Sequence, residues 1–281
     1  MSDSGRESAR ESDIFAERGA EWLAVVARRR SRRAYTGLPA TATSLDALER
    51  TCARFRPYPD ARVVLVREPG IDIFTGIVGG YGKVRSAPHV LVFIADENAD
   101  FADQHVGYTG EGVMLEATAL GLDTCWVGGF FSAAKTRRIV ALEPGESVFA
   151  VSPVGHATDH IGLTERTMQG MARAHNRKSV AEIAPGIGDD WPDWSIAAVE
   201  TARLAPSAVN RQPWRFRMDG GALVIARDGA IETPKVTKRL DCGIAMLHAE
   251  LGARAAGANG AWIDLADGLD VARFVIAGQG E

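Results

Sequence analysis

The chain has 281 residues, a formal net charge of −4 and a pI near 5.9, with 46% hydrophobic and 24% charged residues. This composition is typical of a globular protein with a sizeable core. It lacks the strong basic excess of proteins dedicated to nucleic acid, and no apolar run reaches the roughly 20 residues of a membrane span. Three cysteines without a C-x-x-C pair predict neither a disulfide framework nor a structural zinc site, and they favour a reducing cytoplasm.

The N-terminal segment, "MSDSGRESARESD", is polar and contains no apolar signal-peptide core. We therefore expect a disordered leader over residues 1–13. Apolar residues then recur with helical spacing at Ile14, Trp22, Val25 and Val26, which predicts an amphipathic helix.

A cluster of arginines, "RRRSRRAY" at 28–35, follows at the end of this helix. In an acidic protein such a cluster indicates a local role, and the residues alone leave four roles open. It could bind nucleic acid, surround a regulatory phosphate on Ser31, hold a small phosphorylated cofactor, or only complement the helix dipole.

The following residues predict the remainder of a first unit over 14–184. A helix over "TSLDALERTCARF" carries Thr43 and Asp46 at the positions of a capping box. The β-branched runs "ARVVLVRE" and "PHVLVFIAD" predict strands. A long helix over about 103–120, a short helix capped by Ser132 and a strand over "SVFAVSPVG" complete the unit.

Residues 185–190, "PGIGDD", form the best candidate linker in the chain. A second unit over 191–281 begins with a helix and a proline-bounded loop. It continues with strands over "WRFRM" and "GALVIARD", a helix over "DCGIAMLHAELGARAAGANGAW" and a final strand over "ARFVIAG". Helices and strands without clean βαβ alternation predict an α+β fold, with a mixed β-sheet flanked by helices.

The two units share an internal similarity. "LEATALGLDTCW" (115–126) and "LGARAAGANGAW" (251–262) superpose without a gap, so that Gly121 aligns with Gly257 and Trp126 with Trp262. We call this alignment the internal repeat. Each segment closes a helix and enters a strand. The pattern indicates two related halves fused in one chain, although chance agreement in alanine- and glycine-rich helices competes with that interpretation.

Two further motifs are weak evidence for a ligand or metal site. "GIVGGYG" at 76–82 runs into another predicted strand, whereas a dinucleotide-binding glycine motif must open a helix, so we expect a flexible loop. His156, Asp159 and His160 in "GHATDH" have no partner motif elsewhere, which favours a polar turn. We therefore predict no metal site, and no motif identifies a catalytic residue.

Two loops have more specific chemistry. "LAPSAVNRQPWRF" (204–216) presents Ser207, Asn210 and Gln212 between rigidifying prolines, which suits a flat heteroaromatic ligand with edge acceptors. A turn that caps the preceding helix is an equally good interpretation from the residues alone. In "CWVGGFF" (125–131) two adjacent glycines allow a close backbone approach to a ligand, although an ordinary tight turn has the same sequence.

Together these stretches resemble the FMN-dependent nitroreductase superfamily from Ile14 onward, as a branch in which two halves are fused. The arginine cluster is similar to the family pattern R-R-S-x-R-x-F, and 205–214 is similar to A-P-S-x-x-N-x-Q-P-W. The turn "VGGF" and the segment "NRKSVAEI" are similar to two further family segments. The resemblance implies cofactor-binding roles for Arg29, Arg30, Ser31, Arg33, Gly128, Gly129, Arg177, Lys178, Pro206, Ser207, Asn210 and Gln212.

The resemblance implies an oxidoreductase in which FMN takes hydride from NAD(P)H and passes it, in a ping-pong cycle, to a nitroaromatic or quinone. A backbone N–H of Gly128 or Gly129 would face the flavin near N5, and Ser207 would face its pyrimidine edge. No side-chain acid is required. The alternative is a protein that binds or stores FMN without turnover.

One departure from the family shapes the expected assembly. Family members place the A-P-S loop soon after the arginine motif and complete each site across a homodimer, whereas this chain carries that loop only at 205–214. The resemblance therefore implies a pseudo-dimer with one complete FMN site, as a monomer or a further homodimer. We expect no nucleic acid or membrane partner.

Overall fold

The computed structural model describes residues 4–75, 84–158, 176–232 and 236–278. The glycine-rich motif at 76–82 and the residues Asp159 and His160 lie outside the described residues. The described helices are α1 (Ser4–Val26), α2 (Ala42–Arg54), α3 (Ala102–Ala119), α4 (Ala133–Thr136), α5 (Val180–Ile183), α6 (Asp193–Ala202) and α7 (Lys238–Ala255). The described strands are β1 (Ala61–Arg67), β2 (His89–Asp96), β3 (Asp123–Thr124), β4 (Glu146–Gly155), β5 (Trp214–Asp219), β6 (Ala222–Arg227), β7 (Gly260–Asp264) and β8 (Asp270–Ile276).

The N-terminal region differs from the sequence prediction. Helix α1 begins at Ser4, inside the segment expected to be a disordered leader. That segment contains two arginines, two glutamates and an alanine, which favour helix, and it lacks proline, so a helix anchored by the buried Ile14 can extend through it. The helix also ends at Val26, so the arginine cluster follows the helix instead of forming its last turn.

Two caps were predicted in the first half, and one of them is correct. The Ser132 hydroxyl accepts a hydrogen bond from the Lys135 N–H and begins α4 as expected. Helix α2 begins two residues earlier than a Thr43 cap would allow, because the Thr41 hydroxyl accepts a hydrogen bond from the Ser44 N–H.

The strands form two four-stranded sheets with the orders β1-β2-β4-β3 and β5-β6-β8-β7. All pairs of these strands are antiparallel, and parallel pairing is confined to isolated bridges such as Ser31–Thr124. The α+β class is confirmed, and the mixed pairing expected from the sequence is limited to those bridges. Short connections favour antiparallel neighbours, because a parallel pair needs a long crossover.

The two sheets are the corresponding parts of two related halves. In each half two strands precede a long helix and two strands follow it, and the strand order is the same. The first and last residues of α7 align with the first and last residues of α3 when the internal repeat is extended along both helices. The boundary at 185–190 falls between α5 and α6 and stays a prediction.

The ends of the two long helices repeat at atomic detail. Gly121 and Gly257 both have positive φ, at 76° and 85°. The N–H of Leu122 donates to the Ala117 carbonyl at 2.8 Å, and the N–H of Ala258 donates to the Ala253 carbonyl at 2.9 Å. Both helices therefore end in the same glycine-dependent C-cap, which requires a residue that tolerates the left-handed region. This confirms the internal similarity seen in the sequence.

Helices α3 and α7 pack against each other at the centre of the molecule. A Cβ built on Gly107 would collide with the carbonyl oxygen of Leu240, and one built on Gly243 would collide with that of Gln104. The internal repeat aligns Gly107 with Gly243 and Gln104 with Leu240, so each contact is the counterpart of the other, as expected across a two-fold axis. Both helices are buried over most of their length, so the core runs through both halves.

We expect Gly243→Ala to lower the free energy of unfolding by about 1–3 kcal/mol, because the added methyl group overpacks a contact with backbone. Chemical denaturation of the purified variant measures this change. Gly186→Ala is the matched control, because Gly186 is exposed and a Cβ there meets nothing within 4 Å. Equal stability of the two variants would show that the helices do not cross at this close distance.

Candidate functional site

The arginine cluster lies along the short strand β3. The N–H of Arg32 donates to the Thr124 carbonyl at 2.9 Å, and Ser31 forms a bridge with the same residue. The chain continues from β3 into the turn at Gly128 and Gly129. The two first-half motifs of the sequence analysis are thereby neighbours in space.

Arg29 is the most buried arginine of the cluster, at 6% exposure. Its Nε lies 3.7 Å from Oε1 of Glu111, and its Nε and Nη1 make no hydrogen bond within the described part of the chain. Burial lowers the pKa of Arg29, and the charges of Arg30 and Arg33 lower it further, against the opposing effect of Glu111. Buried guanidinium atoms without acceptors indicate a place for an anion.

Glu111 anchors this arginine from the middle of α3. The carboxylate is fully buried, accepts a hydrogen bond from Nε1 of Trp126 at 2.7 Å, and lies 3.0 Å from Nε2 of His248 on α7. The network therefore joins the β3 turn to both central helices. Sequence reasoning missed Glu111 and His248, because only the helix packing shows which polar residues of a long helix face one another.

The proline-bounded loop of the second half has a strained backbone. Val209, Asn210 and Gln212 have positive φ values of 47°, 56° and 47°. The Ser207 hydroxyl accepts a hydrogen bond from the Gln212 N–H at 2.9 Å. Left-handed conformations in residues other than glycine persist only where the surroundings hold them, and such residues cluster at ligand-binding sites.

Asp241, near the start of α7, holds this loop through two hydrogen bonds. Its carboxylate accepts from the Ala208 N–H at 3.0 Å and from Nε of Arg211 at 2.6 Å, and the residue is 1% exposed. Burial raises the pKa of Asp241 to about 6, although both hydrogen-bond donors oppose the shift. The sequence contains no signal for this residue beyond its position in the first turn of a helix.

The basic segment at 177–178 is bonded to the same loop. Arg177 donates to Oδ1 of Asn210 at 2.6 Å and to the Leu204 carbonyl at 3.2 Å. Lys178 donates through its backbone N–H to Oε1 of Gln212 at 2.8 Å and through Nζ to the Gln212 carbonyl at 2.9 Å. The two motifs predicted to share a site are therefore in direct contact.

Arginines of both halves converge at this contact. Burial lowers the pKa of Arg177 to about 10, with further lowering from the charges of Arg29, Arg30 and Arg203. Sequence reasoning missed Arg203, which lines a groove of about 450 Å³ with Val180, Glu200, Thr201 and Leu204. The arginines whose charges act on one another here are named the five-arginine cluster: Arg29, Arg30, Arg33, Arg177 and Arg203.

The glycine turn completes the contact between the halves. A Cβ on Gly128 would lie 2.6 Å from Cγ2 of Val236, just before α7. The carbonyl of Val236 accepts a hydrogen bond from Nη2 of Arg211 at 2.9 Å. The turn after β3, the start of α7 and the proline-bounded loop therefore form one continuous surface.

Arg30 and Arg32 also have hydrogen-bond partners within the chain. Nη1 of Arg30 donates to the carbonyls of Ala27 and Arg29 at 2.7 and 2.9 Å, so the side chain folds back on the end of α1. Arg32, to which we assign no role, donates to the Thr158 carbonyl. Pro206 is buried and shapes the loop. The arrangement as a whole can bind a phosphorylated ligand, because arginines make strong charge-assisted bonds with phosphate.

The chain is similar to known proteins in both sequence and structure. Residues 22–253 match the family model described as "Putative TM nitroreductase". A solved structure from Thermotoga maritima, described as a "putative nitroreductase", has 21% identity and a TM-score of 0.56, covering 91% of this chain and 93% of its own. At that identity it shows a shared fold. No curated protein sequence matches the chain.

Two further solved structures are more distant. A nitroreductase with bound FMN from Bacteroides fragilis has 18% identity and a TM-score of 0.39, covering 51% of this chain and 91% of its own. A nitroreductase family protein from Clostridium difficile has 20% identity and a TM-score of 0.41, covering 61% of this chain and 98% of its own. Because the family model spans most of the chain, the protein belongs to this nitroreductase family.

Proposed function

We propose that the protein is an FMN-dependent NAD(P)H oxidoreductase of nitroreductase type. The observation that carries this proposal is the five-arginine cluster, assembled from both halves beside the glycine turn and the proline-bounded loop. The cluster would bind the phosphate of FMN, and the glycine turn and the proline-bounded loop would contact its flat ring.

The residues present fit the phosphate of this cofactor. Arg29 is buried, and two of its three guanidinium nitrogens have no hydrogen-bond acceptor among the residues that the structure describes. The acidic group that faces it, Glu111, is already shared with Trp126 and His248. A dianionic phosphate would supply both the missing acceptors and the missing charge.

The remaining residues would hold the rest of the cofactor. Arg29, Arg30, Ser31 and Arg33 would bind from the segment after α1, Arg177 and Lys178 from the basic segment before α5, and Arg203 from the second half. Gly128 and Gly129 would approach the flavin with backbone, and the lack of a side chain also lets Gly128 pack against Val236. Pro206, Ser207, Asn210 and Gln212 would present the loop that Asp241 fixes in place.

When bound, the flavin supplies the chemistry of the cycle, accepting hydride from NAD(P)H and passing it to an electron-poor acceptor such as a nitroaromatic or quinone. The chain's own contribution is placement and charge. Positive groups near the cofactor stabilise the negative charge that accompanies reduction. We assign no side chain as an acid or base, and solvent supplies protons to the reduced acceptor.

Assembly and location belong to the same proposal. The two halves pack through α3 and α7 within one chain, so we propose that a single chain completes one site, as a monomer or within a further homodimer. Among the described residues, no helix combines the length and hydrophobicity needed to cross a membrane. Cys52, Cys125 and Cys242 are buried free thiols, which suits the reducing cytoplasm that we propose.

The first test is a visible spectrum of the purified protein, desalted after incubation with FMN and then treated anaerobically with NADH or NADPH. We expect flavin to be retained and its absorbance at about 450 nm to bleach. Retained flavin that does not bleach would favour the alternative, a protein that binds or stores FMN. Loss of all flavin on desalting would refute the proposed cofactor.

We expect Arg203→Gln and Arg33→Ala each to raise the dissociation constant for FMN by about 10- to 150-fold, the equivalent of one charge-assisted hydrogen bond. Fluorescence titration with FMN measures the change. A parallel titration with riboflavin, which lacks the phosphate, should change little.

Arg138→Gln is the matched control, since Arg138 is an exposed arginine with no role in the cluster. It should leave both titrations unchanged. If Arg203→Gln weakens the binding of riboflavin as much as the binding of FMN, Arg203 does not bind the phosphate.

A further inference from the structure

The internal two-fold relation assigns counterparts in the other half to Asp241, to the proline-bounded loop and to the glycine turn of the candidate site. Under the internal repeat, Asp241 of α7 corresponds to His105 of α3. Both are buried, at 1% and 8% exposure, and both bond to the loop that leads into the first strand of a half. Asp241 holds the loop at 203–213, and His105 lies 2.8 Å from both carboxylate oxygens of Asp60 in the loop at 55–60.

The glycine turn has a counterpart as well. Gly128 corresponds to Asp264 at the end of β7. In the candidate site Gly128 carries no side chain and its backbone packs against Val236. In the related position the Asp264 carboxylate lies 3.0 Å from Nε2 of His105, so that this imidazole connects the two halves through one carboxylate on each side.

Side chains fill the rest of this related position. The Tyr58 ring stacks on the His105 imidazole, with centroids 3.8 Å apart and planes inclined by 10°. Gln104 donates to Oδ1 of Asp264 at 2.5 Å and accepts from Nη1 of Arg239 at 2.6 Å. Two aromatic rings therefore lie in contact between the counterparts of the proline-bounded loop and of the glycine turn.

The charge of the two positions also differs. Five arginines converge on the candidate site, whereas two carboxylates flank the single imidazole at the related position. The arginine-serine motif occurs once in the sequence. A phosphate would meet repulsion from Asp60 and Asp264 here instead of an arginine cluster.

We propose that the position bounded by Tyr58, Asp60, His105 and Asp264 is the symmetry counterpart of the flavin position, closed by its own side chains, so that one chain holds one flavin. This inference rests on the proposed function. The closed position instead joins the first half to the second through the contacts of His105 with Asp60 and Asp264.

The link depends on the charge of His105. Burial disfavours the imidazolium, but hydrogen bonds to Asp264 and Asp60 outweigh that cost and raise the pKa of His105 to about 9. A pKa raised by folding stabilises the folded state fully below the unfolded value near 6.5, and that contribution disappears as the pH rises through about 9. The charged or titratable groups around the imidazole are Tyr58, Asp60, Arg239 and Asp264.

The first measurement is the stoichiometry of FMN on the unmodified protein, by native mass spectrometry and by equilibrium titration. We expect one FMN per chain at saturation in any oligomeric state. Two FMN molecules per chain would overturn the inference.

The second measurement compares the corresponding variants His105→Gln and Asp241→Asn. His105→Gln should keep the FMN dissociation constant within about twofold and should lower the melting temperature most below pH 6.5, with the deficit shrinking towards pH 9. Asp241→Asn should raise the FMN dissociation constant at least about tenfold, because it loosens the flavin-binding loop.

The outcomes separate the two proposals. If His105→Gln weakens FMN binding as much as Asp241→Asn does, the His105 position is not closed. If its stability deficit does not change with pH, His105 is not the charged link. Asp60→Asn repeats the test should His105→Gln fail to fold. Absence of FMN binding by the unmodified protein would refute the proposed function, and the pH-dependent stability would still test the link.

Discussion

The close crossing of α3 and α7 is the contact on which the rest of the structure depends. Gly107 and Gly243 let each helix lie against a carbonyl of the other, where any side chain would collide. Because these contacts are related by two-fold symmetry, the crossing also fixes how the two sheets and their loops face each other. The candidate site and its closed counterpart lie on the two sides of this crossing.

The same crossing brings ionisable groups into the core. Glu111 and His248 meet between the helices, and Glu111 in turn faces Arg29. Buried charges are tolerated when they are paired and hydrogen-bonded, and they are costly when they are not. Arg29 satisfies this rule only in part, since its Nε and Nη1 have no acceptor among the described residues. A bound phosphate would complete the pairing, which links stability of the core to occupancy of the site.

Symmetry and function impose different requirements on the two sides of the crossing. One fold, repeated, provides two equivalent positions, yet each position needs different residues to bind a ligand or to hold the halves together. On one side Asp241 holds a strained loop, and Gly128 lets the turn pack closely against Val236. On the other side the counterparts His105 and Asp264 bond directly to each other. Fusion into one chain permits this division, because each half can change independently.

The sequence by itself determined the local structure and the identity of the motifs. Periodicity predicted the long helices and most strands, because burial of an apolar face imposes it. The internal repeat revealed the two halves, and the arginine, proline-loop and glycine-turn motifs named most residues of the candidate site. Local signals failed at chain ends and caps, where helix α1 extends to Ser4 and Thr41 replaces Thr43.

Only the tertiary structure decided which residues meet. Glu111, Arg203, Asp241 and His105 each lie in ordinary helical or loop sequence, and their roles arise from partners that are distant in the chain or belong to the other half. Pairing of buried charges depends on distances across helix packing, which no local pattern encodes. For the same reason the sequence showed that the arginine motif occurs once, whereas the structure was needed to show that His105 and Asp264 meet at the counterparts of Asp241 and Gly128.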